Sequence, residues 1–195
     1  MHQEKQYNKN GFIPKHGGYK NLLSFKKAEI VYDGTVYFCS RFFNKRDRTV
    51  DQMVQAARSG KQNIVEASMA SGTSKETEIK LSNVARASLE ELLNDYRDFL
   101  RIRGLKEWEK NHAYVIRLRE LNKKPDGNYE TFRKGIENEN PEICANVIAG
   151  LIKVTTYLLD QQLRRLEKDF LKEGGLRERM TRARLSHRDG QQRMD

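Results

Sequence analysis

Apolar side chains recur at three- and four-residue steps through most of this chain, and that spacing constrains its fold more than any other feature. Between Leu22 and Phe43 they form one such stripe, which is the pattern of an amphipathic α-helix with one face turned to a core. The 195 residues include three prolines, so helices can run long. Runs that alternate apolar and polar residues, as strands do, are missing from the sequence. We therefore expect an all-α protein.

Turn and capping signals divide the pattern into four long helices. Thr49 and Thr73 each begin a stretch with the form of a capping box, and Gly104 is a stop signal. Asn140 and Pro141 suit the cap and the first position of the last long helix. Gly60, inside the second helix, predicts a close approach by another element. The predicted bounds are 22–43, 49–70, 73–103 and 140–173.

Four long helices with short connections predict an antiparallel, up-down four-helix bundle over residues 21–173. A polar, flexible segment, 1–20, precedes it. Residues 105–139 are dense in charge and contain one short helical stretch near 114–121, so we expect them to form an excursion outside the bundle, between helices 3 and 4. Residues 174–195 are an Arg-rich suffix with its own short helix.

The third and fourth predicted helices carry apolar arcs wider than one core-facing side requires. Two interpretations stay open. Either both helices are well buried within one chain, or the part of each arc that does not face the core packs against a second copy. The second alternative arises because large apolar patches are seldom left in water. The arcs are Leu81, Ser88, Leu89, Leu92, Leu93, Tyr96, Phe99 and Leu100 on the third helix, and Val147, Ile148, Leu151, Ile152, Val154, Leu158, Leu159, Leu163, Leu166 and Phe170 on the fourth.

The sequence contains little that supports a metal site or a role for its cysteines in redox chemistry. A di-iron bundle needs a Glu-x-x-His pair on each of two helices, whereas only Glu109–His112 has that spacing, and it lies in the excursion. Cys39 and Cys144 have no CxxC spacing, so neither a disulfide nor a zinc framework organises the chain, which favours the reducing cytoplasm. We predict no metal and no cofactor.

Neither a membrane span nor a secretory signal is expected. The longest apolar stretch, 143–159, is interrupted by polar residues and falls short of the about 20 apolar residues that a spanning helix needs. The first five residues are polar and no apolar run follows them.

Four polar residues stand at positions that the pattern assigns to the core: Ser59, Asn63, Glu66 and Ser88. If they are buried, they should form one hydrogen-bonded network, since an unpaired buried carboxylate costs several kcal/mol. We interpret this network as structural, fixing the register of the helices. An enzymatic alternative would rest on Glu66 and Asn63 alone, and we predict no catalytic residue.

The net charge of +10 is concentrated near the beginning of the chain and in the suffix. Residues 1–48 carry +6 and residues 160–195 carry +3. Clustered basic residues are typical of proteins that bind polyanions, above all nucleic acid; the alternative is an ordinary solvated basic surface. The candidate phosphate-binding residues are Lys26, Lys27, Arg41, Lys45, Arg46, Arg48, Arg58, Lys61, Arg177, Arg179, Arg182 and Arg184.

Several segments resemble one bacterial family: Gln52–Ser59, Asn63–Ala67, Ser74–Glu76 with Leu81, Ala85, Ser88 and Glu91, and the closing stretch Leu159–Met180. That family is the four-helix-bundle proteins first noticed as reading frames within intervening sequences of 23S rRNA genes. The accessory variability determinant of diversity-generating retroelements is a related member, and the closing stretch resembles the subgroup with a C-terminal suffix. The resemblance covers roughly residues 16–188. Gln55 stands where an Arg is common in the family, and Ala67 where Gly is usual.

The resemblance implies a barrel-like homopentamer with a partly basic surface. The retroelement member is understood to bind nucleic acid and a reverse transcriptase. Together with the charge, this leads us to expect a non-catalytic homo-oligomer that contacts RNA or DNA phosphates, as an accessory to a reverse transcriptase. The alternative is an adaptor that docks a partner protein through the bundle or the suffix and has no direct contact with nucleic acid.

Overall fold

The structure, a computed structural model, describes residues 13, 16–44, 46–124 and 127–191. Within these residues the chain is helical and contains no strand, which confirms the all-α prediction. A short 3-10 turn at Tyr19–Asn21 precedes the first α-helix. The α-helices are α1 (Leu23–Phe42), α2 (Arg48–Ala70), α3 (Lys75–Ile102), α4 (Ala113–Asn122), α5 (Tyr129–Ile136), α6 (Pro141–Glu173) and α7 (Leu176–Gln191).

The caps of α2 and α3 differ from the predicted capping boxes. The carboxylate of Asp47, not the hydroxyl of Thr49, caps α2, and it accepts a hydrogen bond from the Thr49 backbone N–H at 2.9 Å. In α3 the cap is Ser74, which accepts from the backbone N–H of Thr77 at 3.1 Å. Asp and Ser are strong N-caps. Asp47 lies two residues before the predicted cap Thr49, and Ser74 lies one residue after the predicted cap Thr73.

The beginning and end of α6 confirm the prediction. The Asn140 side chain accepts a hydrogen bond from the backbone N–H of Glu142 at 2.8 Å, and Pro141 occupies the first turn. Gly174 follows the helix with a φ of +72°, a conformation that favours glycine.

The four longest helices pack in a closed ring: α1 lies against α2 and α6, and α3 lies against the same two helices. Their inward faces form one core in which Phe38, Met53, Leu92 and Leu151 are fully buried. Gly60 lies where α2 and α3 approach closely, since a Cβ atom there would stand 2.7 Å from Cγ of Leu89. The expected close approach is therefore confirmed.

The excursion contains two helices rather than one, and both cover α6. Leu118 of α4 packs directly over Gly150, and Gly135 of α5 lies so close to Val147 that an added Cβ would stand 2.9 Å from a methyl carbon. The apolar arc on the first half of α6 is therefore buried within a single chain, which favours the first of the two interpretations for that half.

Polar side chains of α6 tie the segment between α3 and α4 to that helix. Glu142 accepts a hydrogen bond from the backbone N–H of Lys106 at 3.1 Å, and Lys153 donates one to the carboxylate of Glu107 at 2.7 Å. Asn146, 6% exposed, accepts a hydrogen bond from the backbone N–H of Trp108 and donates one to the backbone oxygen of Lys106, each at 2.8 Å. Trp108 stacks on His112, with ring centroids 4.5 Å apart. A polar residue that interrupts the apolar run of α6 thus helps to position the connection by binding its backbone.

Most of the predicted flexible segment 1–20 lies outside the described residues, but its end is packed. The backbone N–H of Gly17 donates to the carbonyl of Ser68 at 3.0 Å. His16 lies against Gly72, in the turn between α2 and α3.

The segment Pro141–Asp189, which includes α6 and most of α7, contains a stretch long and apolar enough to cross a membrane by length and composition alone, with a mean hydropathy of 1.4 over its best 18-residue window. This differs from the expectation for the sequence. However, 61% of that window is buried inside the protein, and a helix in the core of a helical protein has the same composition.

Candidate nucleic-acid interface

The predicted basic residues do not form one surface. Arg41, Arg46 and Arg48 lie at the turn between α1 and α2 and are exposed. The start of α1 and the suffix lie at the opposite end, because the Ser24 hydroxyl donates to the side-chain oxygen of Gln162, in the second half of α6, at 3.1 Å. The 20 residues of α1 separate the two ends by roughly 30 Å, at 1.5 Å per residue.

Aromatic packing fixes the turn between α1 and α2. Phe43, the first residue after α1, lies with its ring centroid 5.9 Å from that of Phe38 and 5.3 Å from that of Phe99 of α3. Phe38 is fully buried and Phe99 is 3% exposed. Phe43, at the start of this turn, is therefore anchored against the core.

A fourth arginine, Arg103, belongs to this end and was missed from the sequence. Its guanidinium carbon lies 3.9 Å from the ring centroid of Phe99 and 5.3 Å from that of Phe43. Such stacking holds a guanidinium in place while leaving its edge open to an anion. We call Arg41, Arg46, Arg48 and Arg103 the turn cluster.

The carboxylate nearest the turn cluster is already engaged. Hydrogen bonds from the backbone and side chain of Thr49 lower the pKa of Asp47, and the charge of Arg103 lowers it further. Asp47 therefore stays ionised as the cap of α2. None of the four guanidinium groups forms an ion pair with a residue that the structure describes, so all four are available to an anion. Other carboxylates lie toward the same end: Asp51 in the first turn of α2, and Asp95 and Asp98 in the last two turns of α3. Lys45, also predicted here, lies outside the described residues.

The prediction for Lys27 is wrong, because its side chain is not on the surface. Lys27 is 4% exposed, and its ammonium nitrogen lies 4.5 Å above the ring centroid of Phe132 without a hydrogen-bond partner among the described residues. Desolvation by burial lowers its pKa. Its neighbour Lys26 is partly exposed.

The two basic residues in the middle of α2 lie apart from both ends. Arg58 is exposed. Lys61 is partly buried, and its ammonium nitrogen stands 4.1 Å above the ring centroid of Tyr32.

The arginines of the suffix form a second basic group on α7. Arg177, Arg182 and Arg184 are exposed, and Nε of Arg182 donates to the backbone oxygen of Glu178 at 3.4 Å. Arg179 differs from them, because its Nε and one Nη are buried without a hydrogen-bond partner in the described part of the chain. The arginines of the suffix therefore lie at the opposite end of the molecule from the turn cluster, so the predicted basic residues form two separate groups.

Three of the four predicted polar residues form the expected network. The hydroxyls of Ser59 and Ser88 are 2.9 Å apart and join α2 to α3, and the Asn63 amide donates to the Ser59 hydroxyl at 3.2 Å and to its backbone oxygen at 2.9 Å. The network is partly rather than fully buried. Glu66 is exposed, so including it in a buried network was wrong.

Among the described residues, no group of three or more acidic, histidine or cysteine side chains is arranged so that it could hold a metal ion. Both cysteines are buried, and burial raises the pKa of each thiol to about 12.

Comparison with known proteins adds no relative: no protein-family model, curated protein or solved structure matches this chain.

Proposed function

We propose that this protein binds RNA or DNA without catalysis, through phosphate contacts made by the turn cluster. The observation that carries the proposal is the position of Arg103. Arg103 is the residue that follows α3, far along the chain from the other three, yet its guanidinium stacks beside the turn that holds them. Folding thus concentrates positive charge that the sequence distributes over more than 60 residues.

The expected contacts are with the backbone of the nucleic acid rather than with its bases. Arg41 lies in the last turn of α1, and Arg46 and Arg48 lie in the connection to α2 and at its first position. The turn cluster is therefore at the end of two adjacent helices and not along the side of one helix. Several guanidinium groups on such an end suit phosphates, which supply affinity without reading sequence. Binding should therefore depend strongly on salt and weakly on sequence.

The architecture we propose is the up-down four-helix bundle, supported by the closed ring of α1, α2, α3 and α6. We further propose that the protein is a homo-oligomer, with five copies as the resemblance implies. Supporting it are apolar residues left exposed on the second half of α6, where Leu171 is 78% and Tyr157 61% exposed. Several copies would multiply the positive field of the turn cluster.

The experiment compares fluorescently labelled 20-nucleotide RNA and 20-base-pair DNA at 50 and 200 mM salt. One variant replaces all four residues of the turn cluster by Gln. A charge-matched control replaces four exposed basic residues elsewhere, Lys80, Lys110, Arg119 and Lys168. We expect the turn-cluster variant to lose at least tenfold in affinity at 50 mM salt, and the control to lose much less. Equal losses in the two variants, or no binding by the wild type at low salt, would refute the proposal.

The adaptor role is the second candidate, and it is supported by the suffix helix. α7 makes little contact with the other helices, while Met180 is 46% and Leu185 42% exposed. A basic helix with exposed apolar side chains suits a partner protein with an acidic groove. Deleting residues 174–195 should then abolish capture of the partner protein in a pull-down while circular dichroism shows that the helix content of residues 21–173 is retained. A partner captured equally well by the truncated protein would exclude the suffix as its docking site.

A further inference from the structure

A cavity of about 470 Å³ opens between α4, α5 and α6, away from the turn cluster. Its apolar walls come from all three helices. Leu118 and Phe132 are 8% and 2% exposed, and Val147 is 7% exposed. Leu121 and Ile143, both partly buried, complete the apolar lining.

The cavity lies between two short helices that each pack against α6. Leu118 of α4 packs directly over Gly150, and Gly135 of α5 lies against Val147. These two contacts fix α4 and α5 on α6, and side chains of both helices line the open space between them.

The mouth of the cavity carries positive charge. Arg117 of α4 and Lys134 of α5 line it, and both are exposed. Neither forms an ion pair with any residue that the structure describes. Glu130 also lines the cavity, but its carboxylate is paired with Arg133 at 2.9 Å. The free charge at the mouth therefore comes from the two cations.

We propose that this cavity binds a small amphipathic anion, with an apolar body seated between α4 and α5 and a carboxylate at Arg117 and Lys134. A volume of about 470 Å³ falls within the roughly 300–1,000 Å³ of known small-molecule sites. Burial of the ligand's hydrocarbon part against the apolar walls is favourable because it removes apolar surface from water. The two cations at the mouth favour a charged carboxylate over a neutral polar group.

The experiment uses decanoate as the ligand and 8-anilinonaphthalene-1-sulfonate, an aromatic anion that fluoresces in apolar sites, as the reporter. Decanol, which has the same chain length and no charge, is the matched control ligand. One variant combines Arg117→Gln with Lys134→Gln. Its charge-matched control combines Lys110→Gln with Arg119→Gln, both exposed and outside the cavity. A third variant, Leu121→Trp, fills the space, and thermal melts verify that each variant is folded.

We expect one reporter site per chain, displaced by decanoate at least tenfold better than by decanol. The cavity double variant should weaken the competition by decanoate about tenfold, and its control should leave it unchanged. Leu121→Trp should abolish binding. Equal competition by decanol and decanoate, or a cavity double variant that behaves as the wild type, would overturn the proposal. The double variant changes surface groups only, so this test stands even if Leu121→Trp does not fold.

Discussion

Replacing Asn146 by alanine should loosen the connection between α3 and α4, which keeps its bonds to Glu142 and Lys153 of α6. The side chain of Asn146 holds the backbone N–H of Trp108 and the backbone oxygen of Lys106, both at 2.8 Å. Its third bond, to the backbone oxygen of Glu142, lies within the helix and matters less, because that oxygen keeps its helical partner.

The magnitude follows from the two backbone groups that lose their partners. A buried polar group left unsatisfied costs about 1–3 kcal/mol. The low end, about 1 kcal/mol for each of the two groups, applies here because the site is only partly buried and water can enter. The expected loss is therefore about 2 kcal/mol in the free energy of unfolding. For a chain of this length, that lowers the melting temperature by about 4–8 °C.

Trp108 makes the local effect visible, since it is the one tryptophan of the chain. It is partly buried and stacked on His112. In Asn146→Ala its emission should shift to longer wavelength and acrylamide should quench it more strongly. The control is Asn111→Ala, an exposed residue in the same connection. If Asn146→Ala melts within 1 °C of this control and its emission is unchanged, the tie to α6 described above is wrong.

Three further predictions concern the core. Gly60→Ala should destabilise the protein by about 1–3 kcal/mol, because the new methyl meets a leucine side chain of α3; urea titration measures this, and an unchanged midpoint would contradict it. Cys39 and Cys144 have thiol pKa values of about 12, so they should not react with a disulfide reagent at pH 8 until the protein is unfolded. The free energy of unfolding should decline as the pH rises above about 9, because the thiols ionise there in the unfolded chain but not in the folded protein. Lys27→Met should stabilise the protein by about 1 kcal/mol, more at lower pH because the buried ammonium must be charged there, while Lys26→Met should change the melting temperature little.

Features decided by neighbouring residues could be predicted from the sequence. The start of α6 depends on Asn140 and Pro141 alone, and both have the predicted roles. The cap of α2 was misplaced because Asp47 and Thr49 are both good caps and only the path of the turn chooses between them. α5 was missed although Asn128 caps it with a reciprocal bond to Thr131, because Thr is not the Glu or Gln that defines the usual capping box.

Features decided by distant residues could not be predicted in the same way. Lys27 is buried under Phe132, which is more than 100 positions later in the chain. Arg103 joins the turn cluster because α3 ends beside the turn between α1 and α2, so only the topology could have indicated it. The width of the apolar arc of α6 left open that a second copy of the chain packs against it, whereas α4 and α5 of the same chain cover its first half. Helix periodicity shows that a face is buried but not which element buries it.

The salt dependence of binding to a 20-base-pair DNA tests the role of the turn cluster most directly. Each phosphate contact on a B-form duplex contributes about 0.9 to the slope of log K against log salt concentration. Replacing the four arginines of the turn cluster by Gln should therefore reduce the slope of the wild-type protein by about 3.6, while the charge-matched control keeps most of it. A turn-cluster variant whose slope equals that of the wild type would show that these arginines contact no phosphate.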